Sequence, residues 1–348
     1  MAKQRSSRGA LARYLSIRFI LIIPTVWILV TVVFFLMRIT GNPIEAAQGG
    51  RLPPKLLQER IHAAGYDKPL LVQYWNYLWA LIRHFDFGTT FSDHRQISQI
   101  LLTNGAATLE LVIYALIIAF LVGIPLGRLA ARYHDKWGDV VIRIFSLLVY
   151  AAPVFFLGLL MKLLFTNVLG WLPSSGRASP DVQAAIEAGH THTGFMLIDA
   201  IATGSMSNVV DVLKHAILPS VCLGLMTAGV FIRLVRINLL ETLRTDFVTA
   251  ARARGVKERR VVSKHAFRNA LIPVVTVMGM QIALMLGGAI LTETTFEWRG
   301  LGQVLANYIQ ARDFVAVQGI VTAIALVIAA ISFLIDVINA LVDPRVRY

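Results

Sequence analysis

His190 and His192 stand one residue apart in a polar stretch, a spacing at which two imidazoles can begin a metal site. Further ligands would have to come from elsewhere in the chain, so a pair of solvated histidines is the plainer reading. Cys222 is the single cysteine and lies in an apolar segment, which excludes a disulfide framework and a thiolate metal site. No Gly-x4-Gly-Lys-Ser/Thr run occurs, so the chain has no loop to cradle a nucleotide's phosphates and is not itself an ATPase. His215 and His265 read as capping or headgroup residues near helix ends, and no Ser/His/Asp group or carboxylate pair stands out in the apolar stretches. What remains is a small set of polar side chains where water does not reach: Gln281, Asp336 and Asn339. Such residues are costly in a bilayer and are the default place to look for a pathway, although Asp336 can equally pair with a cation such as Arg143. Met226, Met278, Met280 and Met285 have the adaptable side chains of a passage for varied ligands, or of ordinary helix and lipid packing. The chemistry suggested is passage rather than bond-making, with Met226, Met278, Gln281 and Met285 as the candidate pathway set.

The most distinctive charged stretch is residues 241–273. Ten cations lie between Arg233 and Arg268, opposed only by Glu241, Asp246 and Glu258. Asp246 is placed to cap a helix whose early residues Phe247, Val248, Ala250 and Ala251 are apolar on roughly one side. Gly255 suits the left-handed position that ends a helix. Beyond it Lys257, Arg260, Lys264 and Arg268 recur at three- and four-residue steps, with Val261, Val262, Ala266 and Ala270 leaning the other way. Two readings stay open on these residues alone. One is a basic amphipathic hairpin resting on anionic headgroups. The other is a short helix with a small-residue tip entering a partner's groove.

Long apolar runs hold these residues in place. With 56% hydrophobic and 15% charged residues and a mean hydropathy of +0.66, the chain falls outside the soluble class. A net charge of +13 raises nucleic acid as a partner, but the cations cluster at the ends of apolar runs, where they orient helices and meet headgroups. Phe19–Met37 follows a basic head and is too long for a signal core, so it reads as a retained first span. Five more runs follow: Leu111–Gly127, broken by Gly123-x-Pro125-x-Gly127; Ile144–Met161 with Pro153; His215–Ile232 with Pro219 in its first turns; Asn269–Thr292; and Phe314–Ile335. The expected fold is an all-α integral membrane protein of six transmembrane helices. Residues 1–38 form a cytoplasmic N-terminus and first helix, and 39–105 an extracytoplasmic segment in which Gln73–Arg83 is amphipathic. Residues 106–348 form a five-helix core with a cytoplasmic loop at 236–272. Arg128, Arg132, Lys136 and Arg143, the loop, and Arg345 and Arg347 all fall on one side with the N-terminal cations, so both termini are cytoplasmic by the positive-inside rule.

Thr249-Ala250-Ala251-x3-Gly255, downstream of a fourth span and upstream of Pro273, resembles the EAA loop of ABC importer permeases. Thr249 replaces the glutamate and the stretch to Pro273 is long, as in the peptide branch of that family. Leu169-Gly170-Trp171-Leu172-Pro173-Ser174-Ser175-Gly176, Lys214–Pro219, the run from Glu293 to Gly302, Asp343-Pro344-Arg345 and Phe85–Thr89 resemble further signatures of its dipeptide/oligopeptide B-type permeases. Asn42 and Arg299 depart from the pattern. The resemblance implies the type I ABC importer permease fold and an alternating-access mechanism. Asp246, Thr249, Ala250, Ala251, Arg254, Gly255, Val256 and Glu258 would form a coupling helix in a cleft of an ATPase subunit. It implies a homologous second permease, two ATP-binding subunits holding ATP and Mg, and an extracytoplasmic solute-binding protein met by residues 39–105 and 169–208. No cofactor is expected in this chain and no nucleic acid. Peptide is the expected cargo, and nickel, glutathione or haem are carried by similar permeases. An ion-coupled secondary transporter would show midplane charges and an inverted repeat, and neither is evident.

Overall fold

The computed structural model describes residues 2–39, 41–48 and 53–342, with the side chains of all but 2–12, 47, 48, 264, 265, 272, 339, 341 and 342. Asp343-Pro344-Arg345 and the side chains of Lys264, His265 and Asn339 thus lie outside it. Among the described residues the structure is helical, with one isolated antiparallel bridge, Thr89 to Gln96. The helices are α1 (Ala2–Ile39), α2 (Pro43–Gln48), α3 (Pro54–Ala63), α4 (Leu70–His84), α5 (Ile97–Arg132), α6 (Trp137–Ala151), α7 (Val154–Met161), α8 (Pro180–Glu187), α9 (Met196–Ala202), α10 (Met206–Leu243), α11 (Asp246–Ala253), α12 (Glu258–Arg260), α13 (Phe267–Ala270), α14 (Ile272–Phe296), α15 (Leu301–Gln310) and α16 (Phe314–Val342). Five of them, α1, α5, α10, α14 and α16, contain segments long and apolar enough to cross a bilayer, and α6 with α7 makes a sixth, bent span.

Three of the expected spans change shape. Helix α5 runs unbroken through Pro125, and Pro219 sits in the middle of α10 rather than in its first turns. Neighbouring helices tolerate proline at such positions in a membrane by re-satisfying the backbone groups it frees. The expected span over Ile144–Met161 is instead two pieces meeting at 105°. Pro153 disfavours helical geometry in the residue before it, and Ala152 is accordingly extended, with φ −69° and ψ 131°. A π-helical stretch, Lys162–Val168, continues the second piece.

Helix α10 is the centre. Of its most apolar window 67% is buried, against 11% for α1 at the periphery. It packs on α5 closely enough that a Cβ on Gly224 would fall 2.6 Å from the Ala115 carbonyl oxygen. Small residues are what allow such backbone approach between helices in lipid. Asp139 on α6, fully buried, accepts from Nε and Nη2 of Arg236 on α10 at 2.7 Å each, and Arg143 lies 3.7 Å from the same carboxylate. The expected pairing of Arg143 with Asp336 is therefore replaced. Arg143 shares a helix face with Asp139 at i,i+4, while Asp336 meets Arg18 of α1 at 3.6 Å.

The segment that carries α4 is braced on α1 and α16. Phe34 packs its ring against Tyr74 and Tyr77 of α4. Arg38 donates to Gln73 at 3.1 Å and to Gln318 at 3.2 Å, and the Tyr77 hydroxyl donates to Thr322 at 2.9 Å. Trp75 and Trp79 stay exposed on the other side of α4, as its amphipathic pattern requires.

Candidate functional site

The loop between α10 and α14 folds onto its own bundle. Val248, Ala251, Val261, Ala266 and Ala270 form one buried cluster with Ala131 of α5 and Leu239 of α10. Helix α11 begins at Asp246, but its N-cap is Thr245, and no side chain caps it. Asp246 instead supplies negative charge in the first turn, where the helix dipole favours it. The apolar residues expected on one side divide between two faces. Val248 and Ala251, three apart, point inward, whereas Phe247 (44% exposed) and Ala250 are exposed with Arg254. A helix turns 100° per residue, so 247, 250 and 254 share a face and 248 lies a quarter-turn off it. Ala251 is thus small for packing inside the chain, not at an outer surface.

Gly255 ends α11 as expected, with φ +75°. Its N–H donates to the Arg252 carbonyl at 2.9 Å and the Val256 N–H to the Ala251 carbonyl at 3.2 Å, the paired bonds of a Schellman motif. Val256, partly buried, packs against the Ala251 cluster. Glu258 accepts from Nη2 and Nε of Arg252 at 2.7 and 3.0 Å, which holds the Glu258 carboxyl below its ordinary range. Thr249, Ala250, Arg254, Gly255 and Glu258 are all exposed. The loop therefore presents an outer surface of one phenyl ring, small residues and cations. Lys257, Arg260 and Arg268 continue the exposed basic side, with Val261, Ala266 and Ala270 beneath.

On a side of the bundle where Met280 and Leu284 are exposed, a cleft of about 530 Å³ opens between α10 and α14. It brings together Met226, Gln281 and Met285 of the candidate pathway set, with Met280 beside them. Met278 does not join them; it packs against the cluster of Ala119, Phe231, Val235 and Val274, on another face of α14. The cleft also takes in Thr227, Arg233 and Tyr150, which sequence reasoning missed. Arg233 was legible only as a loop cation, although Met226, Val230 and Arg233 recur at helical steps. His190 and His192 are exposed, and no group of three metal-ligating side chains occurs among the described residues. His215 is set along α10, its ring against the Asp211 carbonyl oxygen at 2.9 Å.

Where α14 ends, the Glu293–Gly302 run forms a buried clamp. Glu293, fully buried, accepts from Thr108 of α5 at 2.6 Å and from the N–H of Gln303 at 2.9 Å, so it caps α15 from another helix. Trp298, also fully buried, donates to the Ala107 carbonyl at 2.9 Å. A side chain on Gly300 or Gly302 would collide with the Glu293 carboxylate. Nearby, Glu110 pairs with Arg177 and accepts from the N–H of Leu197 at 2.9 Å, tying the loop between α7 and α10 to α5.

A helical bundle with up to six apolar segments long enough to span a bilayer and an open cleft between two of them is the architecture of a membrane-embedded permease. The chain belongs to the binding-protein-dependent transport system inner membrane component family, which matches residues 123–348, and its N-terminal companion matches residues 11–112. Over 330 residues it is 38% identical to the di/tripeptide transport system permease protein DppB of Pseudomonas aeruginosa (strain UCBPP-PA14), covering 94% of this chain and 96% of that protein. It is 33% identical over 336 residues to the glutathione transport system permease protein GsiC of Salmonella choleraesuis (strain SC-B67), covering 96% and 99%. Its fold is that of a type I importer permease: the inward-facing methionine ABC transporter MetNI superposes with a TM-score of 0.53 at 18% identity, covering 71% of this chain and 98% of that one. The protein is a multi-pass inner-membrane permease subunit of an ABC importer.

Proposed function

We propose that this permease is one half of the translocation pathway for di- and oligopeptides. It would pair with a homologous second permease, two ATP-binding subunits that hold ATP and Mg, and an extracytoplasmic solute-binding protein. No cofactor is assigned to the chain itself. The observation that carries the peptide reading is identity over nearly the whole length to permeases named for dipeptides and di/tripeptides. Glutathione, in the name of another relative, is itself a short peptide, so it keeps the cargo within one chemical class.

In this reading α11 is the coupling helix. Asp246, Thr249, Ala250, Arg254, Gly255 and Glu258 form its outer surface with Phe247, while Ala251 and Val256 fix it to the bundle. ATP binding closes the ATPase pair and moves the two coupling helices, and the permeases then open outward to the docked binding protein. ATP supplies the free-energy difference between the two states, and the permease supplies the pathway. Residues 39–105 and 169–208 are the surfaces assigned to the binding protein.

The test is purification of the tagged chain in mild detergent, identification of its companions by mass spectrometry, and reconstitution of the recovered complex for ATP-driven uptake of labelled dialanine. Recovery of a second permease and ATP-binding subunits with ATP-dependent uptake is expected. A chain recovered alone, or uptake that follows an ion gradient without ATP, overturns the proposal.

A further inference from the structure

The α10–α14 cleft carries a charge that the packing does not require. Arg233 lines it and also lines a second cavity of about 340 Å³ between α6 and α10. Its neighbours Arg236 and Arg143 gather around buried Asp139. Arg233 has no carboxylate partner among the described residues; its guanidinium lies over the Tyr150 ring, 5.2 Å from the centroid. One side of the cleft is apolar and compliant, with Met226, Met280 and Met285. Two neutral polar side chains face it, Thr227 (5% exposed) and Gln281 (9% exposed). Gln281 has no side-chain hydrogen-bond partner among the described residues, so its amide is free to donate to and accept from a ligand in the cleft.

The heights of these groups follow from the helix pairing. Helices α10 and α14 are successive spans and run antiparallel, and a side chain on Gly288 would meet Leu223 at 3.8 Å, which fixes their register. Counting from that contact, Gln281 falls level with Val230, between Thr227 and Arg233. Thr227 and Arg233 are about 9 Å apart along the axis at 1.5 Å per residue. That span matches two to three extended residues at about 3.3–3.6 Å each.

From this placement we infer that Arg233 selects the carboxylate end of a short peptide in transit, with Gln281 and Thr227 meeting its main-chain amides and the methionines accepting varied side chains. Guanidinium and carboxylate pair through two parallel hydrogen bonds, while an amide and a hydroxyl serve any peptide backbone alike. This rests on the peptide reading above, and it makes Arg233 a specificity residue within the permease, separate from whatever the binding protein selects.

The test uses the complete transporter in nanodiscs without its binding protein, and measures displacement of bound labelled dialanine by unlabelled dialanine and by dialanine amide. The wild type should prefer the free acid about tenfold. Arg233→Gln should bring the two competitors within twofold of each other, and Arg233→Lys should restore a preference of several-fold. Absence of dialanine binding in the wild type, equal binding of the two competitors, or a preference that survives Arg233→Gln overturns the assignment. Loss of co-purifying anionic phospholipid in Arg233→Gln with peptide preference intact would assign the guanidinium to a lipid phosphate instead, and also overturns it. ATP-driven uptake of dialanine by the same wild-type complex, reconstituted in sealed vesicles together with its binding protein, separates these outcomes from failure of the peptide reading itself.

Discussion

Phe247 gives the coupling reading its sharpest test. It stands exposed on α11 while its neighbours Val248 and Ala251 are buried, so truncating it should leave the loop's own packing intact. With 44% of its surface open, about 90 Å² of a side chain of roughly 200 Å² is available for a partner to cover. At about 25 cal/mol per Å², that cover contributes about 2 kcal/mol. Comparing two variants of one interface cancels the common cost of bringing the subunits together. Phe247→Ala should therefore weaken binding of the ATP-binding subunits roughly 30-fold. The assay is titration of purified ATP-binding subunits onto the permease pair in nanodiscs, with helix content followed in parallel. Binding within twofold of wild type, in a variant of unchanged helix content, refutes the placement of this face in the ATPase cleft. Gly255→Val should also uncouple uptake, but it is a poorer probe. A valine forced to φ +75° strains the turn whether or not anything docks there.

Three further outcomes test the packing. Glu293→Ala removes the acceptor for Thr108 and the Gln303 N–H, and should cost about 3 kcal/mol in detergent-titrated unfolding, with Glu293→Gln recovering more than half of it. Asp139→Ala strands Arg236 without its buried partner and should cost about 3 kcal/mol by the same titration, whereas Asp139→Leu combined with Arg236→Met should return close to wild type. The Tyr308 phenol is pushed up to about 12, by burial first and then by the Asp93 carboxylate it donates to at 3.0 Å. A raised folded-state value means that its stabilising contribution is full below pH 10, the unfolded value, and is lost as pH rises through about 12. Spectrophotometric titration should show this tyrosine still un-ionised at pH 10.5, and Tyr308→Phe should remove about 1.5 kcal/mol at neutral pH.

The broad architecture was legible because a bilayer leaves few choices. Apolar runs of spanning length must be helices, and the distribution of arginine and lysine orients them. Gly255 was legible as a helix end because its position needs a residue free of a Cβ. Details that depend on partners distant in sequence were not. Pro125, Pro153 and Pro219 look alike as residues, yet only Pro153 sits at a sharp corner. The difference is in what packs around each, which spacing along one chain does not encode. The same holds for Asp139 and Arg236, 97 positions apart, and for Glu293 capping a helix across a turn. The two faces of α11 belong here too. On a wheel at 100° per residue Phe247, Val248, Ala250 and Ala251 fall within an arc of about 160°, and only the seat of the loop on α5 and α10 decides which part of that arc is buried.

The way the loop is seated on the bundle has a mechanical consequence. Val248, Ala251, Val261, Ala266 and Ala270 interlock with the ends of α5 and α10, and packed interiors have low compressibility and transmit strain. The loop is therefore a stiff knuckle rather than a tether. A displacement of an ångström or two imposed at Phe247 has no slack to take up before it reaches Leu239, and from there α10, the most buried of the five unbent spans among the described residues. Lengthening the loop at Gly255 by a flexible residue or two would leave every contact surface in place and still waste the stroke.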